Sequence, residues 1–502
     1  MQHPAHRPVT TGPNRPLVWW WLVLLAVALP WLNPATWGPN PEMVQRLLSL
    51  ACAAALLAGW ALWGATQPLR TLVHGLAWAW LVAALCSAWA GLLQYFGVAG
   101  PLAPWISPTD AGVAYANLRQ RNQFASLLSL GLAALLYLLQ TQPPRLRWQQ
   151  AAAALAVLLL ALGNAASSSR TGVLQWVALF LLALLWHRRS APRLLGWAGL
   201  ALLAYLLAAL LLPLALAWRT GTSGNNALER FQEDSGCGER SVLWHNVLEL
   251  IAQHPWAGWG WGELKFAHFI TPYRGERFCA LLDNAHNLPL HLAVELGLPA
   301  ALLLCGGALW LLLRVRAWRE TEPARQLAWA VLLVIALHSL VEYPLWYGPF
   351  QMAALLGLAL LWRTGRPLHP GSVLRGLGLG MALGLLATTV YAGWDYWRVG
   401  QLYLPQAERA ATYREDTLAK VQDSWLFRET VRFARVTTAT PSPENAARLY
   451  ADALQSLHYS PEPKVIGALL ESARLLGRED AGTAHIRAQW RAIYGEALDI
   501  AP

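Results

Sequence analysis

DNAHNLPLHLAVELGLPAALLLCGGALWLLL, residues 283–313, decides the class of the chain. From Leu288 onward it is apolar over the length that crosses a bilayer, about 20 residues. Its front edge nevertheless carries Asp283, Asn284, His286 and Asn287. Ionisable groups at membrane depth are costly and serve a function by default. Asp283 and His286 are three apart, so one helical turn is expected to join them. The carboxylate would then orient the ring and make it more basic, as a general base near neutral pH requires. The competing reading is that Asp283 or Asn284 caps the helix and His286 is an interfacial bystander.

The same kind of run recurs along the chain. Of 502 residues, 56% are hydrophobic and 13% charged, where soluble domains carry about a quarter charged. The 29 Trp fit the same class, since Trp favours membrane interfaces. Eleven spans are expected, near 17–33, 44–64, 71–97, 122–140, 148–164, 171–187, 194–217, 288–313, 327–346, 348–362 and 373–394. The fold class is therefore all-α and polytopic.

One set of short loops holds Arg70, Arg145, Arg147, Arg188, Arg189, Arg193, Arg314, Arg316, Arg319, Arg325, Arg363, Arg366 and Arg375. Loops 34–43 and 343–350, on the opposite face, have no Lys or Arg. The positive-inside rule places the N-terminus and the basic set in the cytoplasm. The net charge of +10 thus sits in membrane-flanking loops and implies no nucleic acid. No cleavable signal peptide is expected, because Arg7 and Arg15 anchor a first span that leads into others.

Four segments follow: spans 1–7 in residues 1–217, a large outer loop in 218–287, spans 8–11 in 288–394, and an outer helical domain in 395–502. The last reads as amphipathic helices broken at the prolines near 441–443 and 461–463, without a strict 34-residue repeat. Cys52, Cys86 and Cys305 lie inside spans as small apolar fillers. Cys237 and Cys279 share the outer loop and are expected to pair in an oxidising compartment; the alternative is two free thiols.

The remaining out-of-place polar residues cluster at outer span ends. GNAASSSRTGVLQW puts Arg170 in a tight turn between spans, where it snorkels or serves a site. GERSVLWHNVLELIAQHP spaces Trp244, Val247, Leu248 and Ile251 for an amphipathic helix opened by Arg240, which is solvated or points at what the helix covers. In HSLVEYPLWYGPF, His338 and Glu342 are four apart and read as a structural pair, and Tyr343 and Tyr347 as an aromatic belt. Residues 117–123 are dense in amides, among them Gln120 and Asn122. No DxD cluster for a metal-dependent sugar transferase, no Walker A and no Rossmann fingerprint occurs; no metal and no cofactor is expected.

Two outer arginines, a His beside a carboxylate and an apolar surround suit a lipid-linked pyrophosphate, since the planar guanidinium grips phosphate oxygens in pairs. At these residues the chain resembles the bacterial O-antigen ligase, O-antigen polymerase and O-oligosaccharyltransferase superfamily. His286 and Asn287 are followed by nine residues and Gly297, as in its ligase signature, although Ala300 fills the last place. SSSRTG and the outer-loop Arg match at Arg170 and Arg240, with Trp244 where ligases often have Leu. ANLRQRNQFASLLSL and HSLVEYPLWYGPFQMAALLG resemble the PglL-type pilin O-oligosaccharyltransferases, matching Gln120, Asn122 and Tyr343.

The resemblance covers about residues 100–365. It implies an inner-membrane enzyme that moves a glycan from undecaprenyl pyrophosphate to a Ser or Thr of an exported protein such as a type IV pilin, on the periplasmic face. Arg170 and Arg240 would hold the pyrophosphate, His286 would activate the acceptor, and Gln120 and Tyr343 would position sugar or head group. A ligase acting on lipid A-core, or a polymerase, shares this chemistry. A transporter would instead place its polar groups near the midplane of repeated halves, which the sequence does not show.

Overall fold

The computed structural model describes residues 15–187, 192–221, 236–363, 371–478 and 480–494. Arg7, Arg188, Arg189 and Arg366 and residues 222–235 of the long loop lie outside them. Every regular element among the described residues is a helix, with no strand. The chain is thus an all-α, multi-pass membrane protein.

Seven helices come first: α1 (Arg15–Leu32), α2 (Pro41–Leu62), α3 (Leu69–Tyr95), α4 (Arg121–Thr141), α5 (Arg147–Ala166), α6 (Arg170–His187) and α7 (Pro192–Thr220). The long loop forms α8 (Arg240–Gln253) and α9 (Leu264–Ile270). Then come α10 (Leu288–Leu296), α11 (Leu298–Ala301), α12 (Gly307–Val315), α13 (Pro323–Ser339), α14 (Gly348–Arg363) and α15 (Ser372–Gly400). Among the described residues eight helices are long and apolar enough to cross a membrane, and Leu17–Leu32 and Pro323–Ser339 are shorter apolar ones.

Burial differs sharply between helices. In α4, 89% of the apolar window is buried, so it is the central post, packed by α3, α5, α6, α7 and α13. Small residues permit this approach: Gly131 of α4 meets Ala84 of α3, and Gly172 of α6 meets Ala125 of α4. The span Leu298–Arg319 is only 6% buried and presents leucines all round, as a helix solvated by lipid does.

The opening stretch is not one helix. It breaks at Gly297, which adopts φ +85. Pro299 has no N–H to close onto the Glu295 carbonyl, and Gly260 N–H takes that oxygen at 3.0 Å. Trp259 N–H likewise takes the Val294 carbonyl at 2.9 Å, and Leu298 N–H turns to Pro255 O at 2.8 Å. The loop HPWAGWGWG is therefore stitched, backbone to backbone, into the break between α10 and α11.

The tail forms α16 (Thr417–Val421), α17 (Arg428–Thr438), α18 (Ala446–Tyr459), α19 (Pro463–Leu475) and α20 (Ala481–Tyr494). Its core of Val436, Leu449, Leu457, Ile466 and Leu469 also takes in Phe269 of α9, so loop and tail share one apolar centre. His458 to Glu263 at 2.6 Å closes the same seam. Helix α15 runs on past residue 394, and buried Asp395 holds Arg398 at 2.8 Å and Ser424 at 2.9 Å, fastening the tail to it.

In the long loop Cys237 and Cys279 are bonded across 42 residues. Closing a loop of that length stabilises the fold by about 3–4 kcal/mol in the chain-entropy model. Replacing both by Ser is expected to lower the unfolding free energy of the loop by that margin, checked by urea titration beside the wild type with and without reductant. The buried ring of His268 accepts from Tyr273 Oη at 2.7 Å and donates to Phe278 O at 3.1 Å. Burial, and then the Arg277 charge, push it down to about 3. The unfolded chain binds a proton there near pH 6.5 and the folded loop does not. Stability is therefore full above about pH 6.5 and falls by about 1 kcal/mol per unit below it. His268→Asn is expected to flatten that acid slope in thermal unfolding followed from pH 7.5 to 4.5.

Candidate active site

The stretch 283–287 is an extended turn rather than a helical one. Asn284 Oδ1 accepts the His286 N–H at 2.9 Å, and His286 sits in the left-handed region at φ +49. Asn287, not Asp283 or Asn284, caps α10, accepting Leu290 N–H at 3.0 Å while its amide donates to Leu340 O at 3.0 Å. This clamp aims the imidazole away from exposed Asp283 and at Glu342, with Nδ1 2.8 Å from Oε2. The expected Asp283–His286 contact is thus replaced, because no helical turn forms there.

Glu342 also departs from its sequence reading as the partner of His338. Helix α13 ends at Ser339 and closes in a turn, with the Val341 and Glu342 N–H groups both on His338 O, so the helical face does not carry on through Glu342. His338 instead meets Ser126 at 2.9 Å inside the bundle, and Gln175 donates to that Ser at 2.7 Å. Glu342 collects three partners from three elements: His286, the Arg240 guanidinium, and Asn122 Nδ2 at 3.1 Å. Burial raises its carboxyl, but the hydrogen bond and charge of His286 and the charge of Arg240 outweigh it and hold it below the usual range. It is ionised at neutral pH.

Beside Glu342 opens a cleft of about 400 Å³ lined by Gln120, Arg121, Asn122, Arg170 and Arg240. Three of its arginines stand at helix starts. Gln120 caps α4, accepting Gln123 N–H at 2.6 Å, and Arg121 follows it; Arg170 opens α6 and Arg240 opens α8. Three helix N-termini therefore face one cleft, and each brings partial positive charge. Ser169 Oγ, donating to Asn122 Oδ1 at 2.6 Å, ties the α6 turn to α4. The arrangement suits a doubly charged anion held at the apolar end of a bundle. Arg119 also lines the cleft, but its guanidinium reaches Thr36, Ser107 and Pro34 O and braces the loop.

Tyr343 meets the His286 ring edge-on at 5.1 Å and stacks on Tyr347 at 5.9 Å. Burial, then the Asp283 charge, push its phenol up to about 12, so it stays a hydrogen-bond donor. The Cys237–Cys279 bond pins the approach to both Arg240, three residues on, and His286, seven residues on. In α8 the buried stripe is Leu243, Val247, Leu250 and Ile251, with Trp244 partly covered and Leu248 exposed. The sequence had placed Leu248 on the covered face.

Of the residues singled out in the sequence, His286, Arg240, Arg170, Gln120, Asn122 and Tyr343 gather round Glu342, and Asp283 stands apart. Sequence reasoning missed Glu342 as the hub and Arg121 as a further wall of the cleft. No local period carried the first; the second lay unread in the amide-rich run. Among the described residues no three His, Cys, Asp or Glu converge as a metal-binding group.

Three family models match the chain in succession: a protein glycosylation ligase domain at residues 114–139, an O-antigen ligase domain at 155–305, and the C-terminal part of a virulence-factor membrane-bound polymerase at 326–500. The first contains Gln120 and Asn122, and the second contains Arg170, Arg240 and His286. The chain is similar to a general O-oligosaccharyltransferase of Acinetobacter baylyi, 28% identical over 259 residues. That alignment spans 49% of this chain and 43% of the relative.

Proposed function

We propose that this chain, which belongs to the bacterial superfamily of O-antigen ligases, O-antigen polymerases and O-oligosaccharyltransferases, is a glycosyltransferase that moves a glycan from undecaprenyl pyrophosphate to a Ser or Thr hydroxyl of an exported protein such as a type IV pilin. The observation that carries it is the cleft in which three helix N-termini and Arg121, Arg170 and Arg240 face one space, walled by the Glu342 that holds His286. The lipid tail lies in the bilayer along the apolar bundle. The pyrophosphate sits among the arginines, whose fixed charges and the helix ends stabilise the negative charge that grows on it as it leaves.

The acceptor oxygen attacks the anomeric carbon, its proton passes to His286 Nε2, and the carbon–phosphate oxygen bond breaks with its electron pair on the pyrophosphate. Direct attack inverts the anomeric centre. Gln120, Asn122 and Tyr343 position the sugar and head group, and Asp283 stands at the exposed rim where acceptor arrives. In this reading the protein lies in the inner membrane, with the basic loops cytoplasmic and the cleft periplasmic.

The resemblance of residues 114–139 to a protein glycosylation ligase, and the named relative, favour a protein acceptor; the O-antigen ligase match keeps lipid A-core as the rival. The protein is to be expressed with a lipid-linked glycan pathway and a pilin, reading pilin mass and lipopolysaccharide banding together. A glycan-sized gain on the pilin is expected. An unmodified pilin with a new lipopolysaccharide ladder would make it a ligase.

A further inference from the structure

Glu342 is engaged from two opposed sides. One oxygen holds His286 Nδ1 at 2.8 Å, and the other takes the Arg240 guanidinium and Asn122 Nδ2. Its side chain is 11% exposed, so little solvent screens either contact. Arg240 is also a wall of the anion cleft. One guanidinium therefore faces two anions, a carboxylate now and a pyrophosphate when the donor is bound. A diphosphate presents more charge and more oxygens to the guanidinium fork than a carboxylate already shared with two neighbours.

We propose that Glu342 is the positioning residue of His286 and that Arg240 latches it: the donor's pyrophosphate draws Arg240 off the carboxylate, and the uncovered charge then acts on His286, which becomes the stronger base only when the donor is in place. This rests on the donor reading above. In the transfer step Glu342 takes no proton. The hydroxyl proton goes to His286 Nε2, which has no hydrogen-bond partner among the described residues, and Glu342 steadies the imidazolium formed. An empty site thereby keeps a weaker base, and the acceptor is activated only where a sugar waits.

The charged neighbours of the pair are few. They are Arg240 from α8, His338 from α13, and Asp283 and Tyr343 from the flanking turns. His291 on α10 feels His286, and Glu42 at the start of α2 acts on Tyr343. Arg119, Arg121 and Arg170 complete the cleft. Of these, Arg240 is hydrogen-bonded to Glu342 while also lining the anion cleft.

The test uses the full chain in detergent and a reagent that acylates neutral imidazole, with labelling at His286 read by peptide mass across pH. Inorganic pyrophosphate is the probe, and its binding is followed by calorimetry. In the wild type, saturating pyrophosphate is expected to raise the labelling midpoint of His286 by on the order of one pH unit, the size of change an opposite charge makes at contact distance. Arg240→Gln should show the raised midpoint without pyrophosphate. Glu342→Gln, which keeps shape and loses charge, should show a lowered midpoint and a smaller response.

A wild-type midpoint unmoved by bound pyrophosphate would overturn the latch, as would an Arg240→Gln midpoint equal to the wild type's, or no pyrophosphate binding at millimolar concentration. Failure of the donor reading is separate: it would show as no glycan transfer to pilin or lipid A-core, whatever the labelling midpoints.

Discussion

His286→Ala is expected to reduce glycan transfer by at least about 100-fold, and up to about 10,000-fold, while leaving the protein folded in the membrane. The range is what a positioned general base contributes. Stability should change by less than about 1 kcal/mol, for three reasons on the structure. The ring is only half-buried, with 26% of the side chain exposed. Its loss leaves Glu342 still bonded to Arg240 and Asn122, so no buried charge is orphaned. The turn itself is held by backbone and by Asn284 and Asn287, not by the imidazole. Pilin mass reports the activity, and thermal unfolding in detergent reports the fold. Full activity in this variant would remove His286 from the reaction.

The contrast with Arg240→Ala sharpens that reading. Removing the guanidinium strips Glu342 of its cation as well as the cleft of a phosphate ligand, so activity and stability should fall together. A base and a charge clamp are thus separable by which of the two readouts moves, although they touch the same carboxylate.

Much of this site was legible because membrane chemistry makes polar residues conspicuous. Arg170 and His286 stand out against apolar neighbours. What stayed hidden depends on long-range contacts. Glu342 meets His286 across 56 residues, Arg240 across 102 and Asn122 across 220. No local period reports such pairs, and the four-residue spacing to His338 suggested a nearer partner. The break in the first stretch was hidden for a different reason. Apolar periodicity measures which faces are greasy and is blind to a backbone carbonyl being taken by a distant loop. The Gly297–Pro299 pair held the local half of that signal, and the glycines of WAGWGWG the other.

Those glycines carry the second large effect. Gly297→Ala is expected to destabilise the protein by on the order of 3 kcal/mol and to free the loop 255–260 from the membrane helix. Two costs add. At φ +85 a β-carbon is strained by about 1 kcal/mol. The added carbon would also lie 2.3 Å from Trp256 O and 2.5 Å from its carbonyl carbon, and backbone cannot swing aside as a side chain does. Gly258→Ala mirrors it from the loop side, at φ +69 and 2.4 Å from the Glu295 carbonyl. Gly306→Ala is the control: it lies in the same membrane span, at helical φ with nothing near its β-carbon, so stability should hold or rise slightly. Limited proteolysis at the tryptophan-rich loop, beside thermal unfolding, reads both effects. If Gly297→Ala and Gly306→Ala behave alike, the backbone stitch between loop and helix does not hold the break. If only Gly297→Ala opens the loop and transfer falls with it, the stitch also sets the angle at which α10 presents His286 to the cleft.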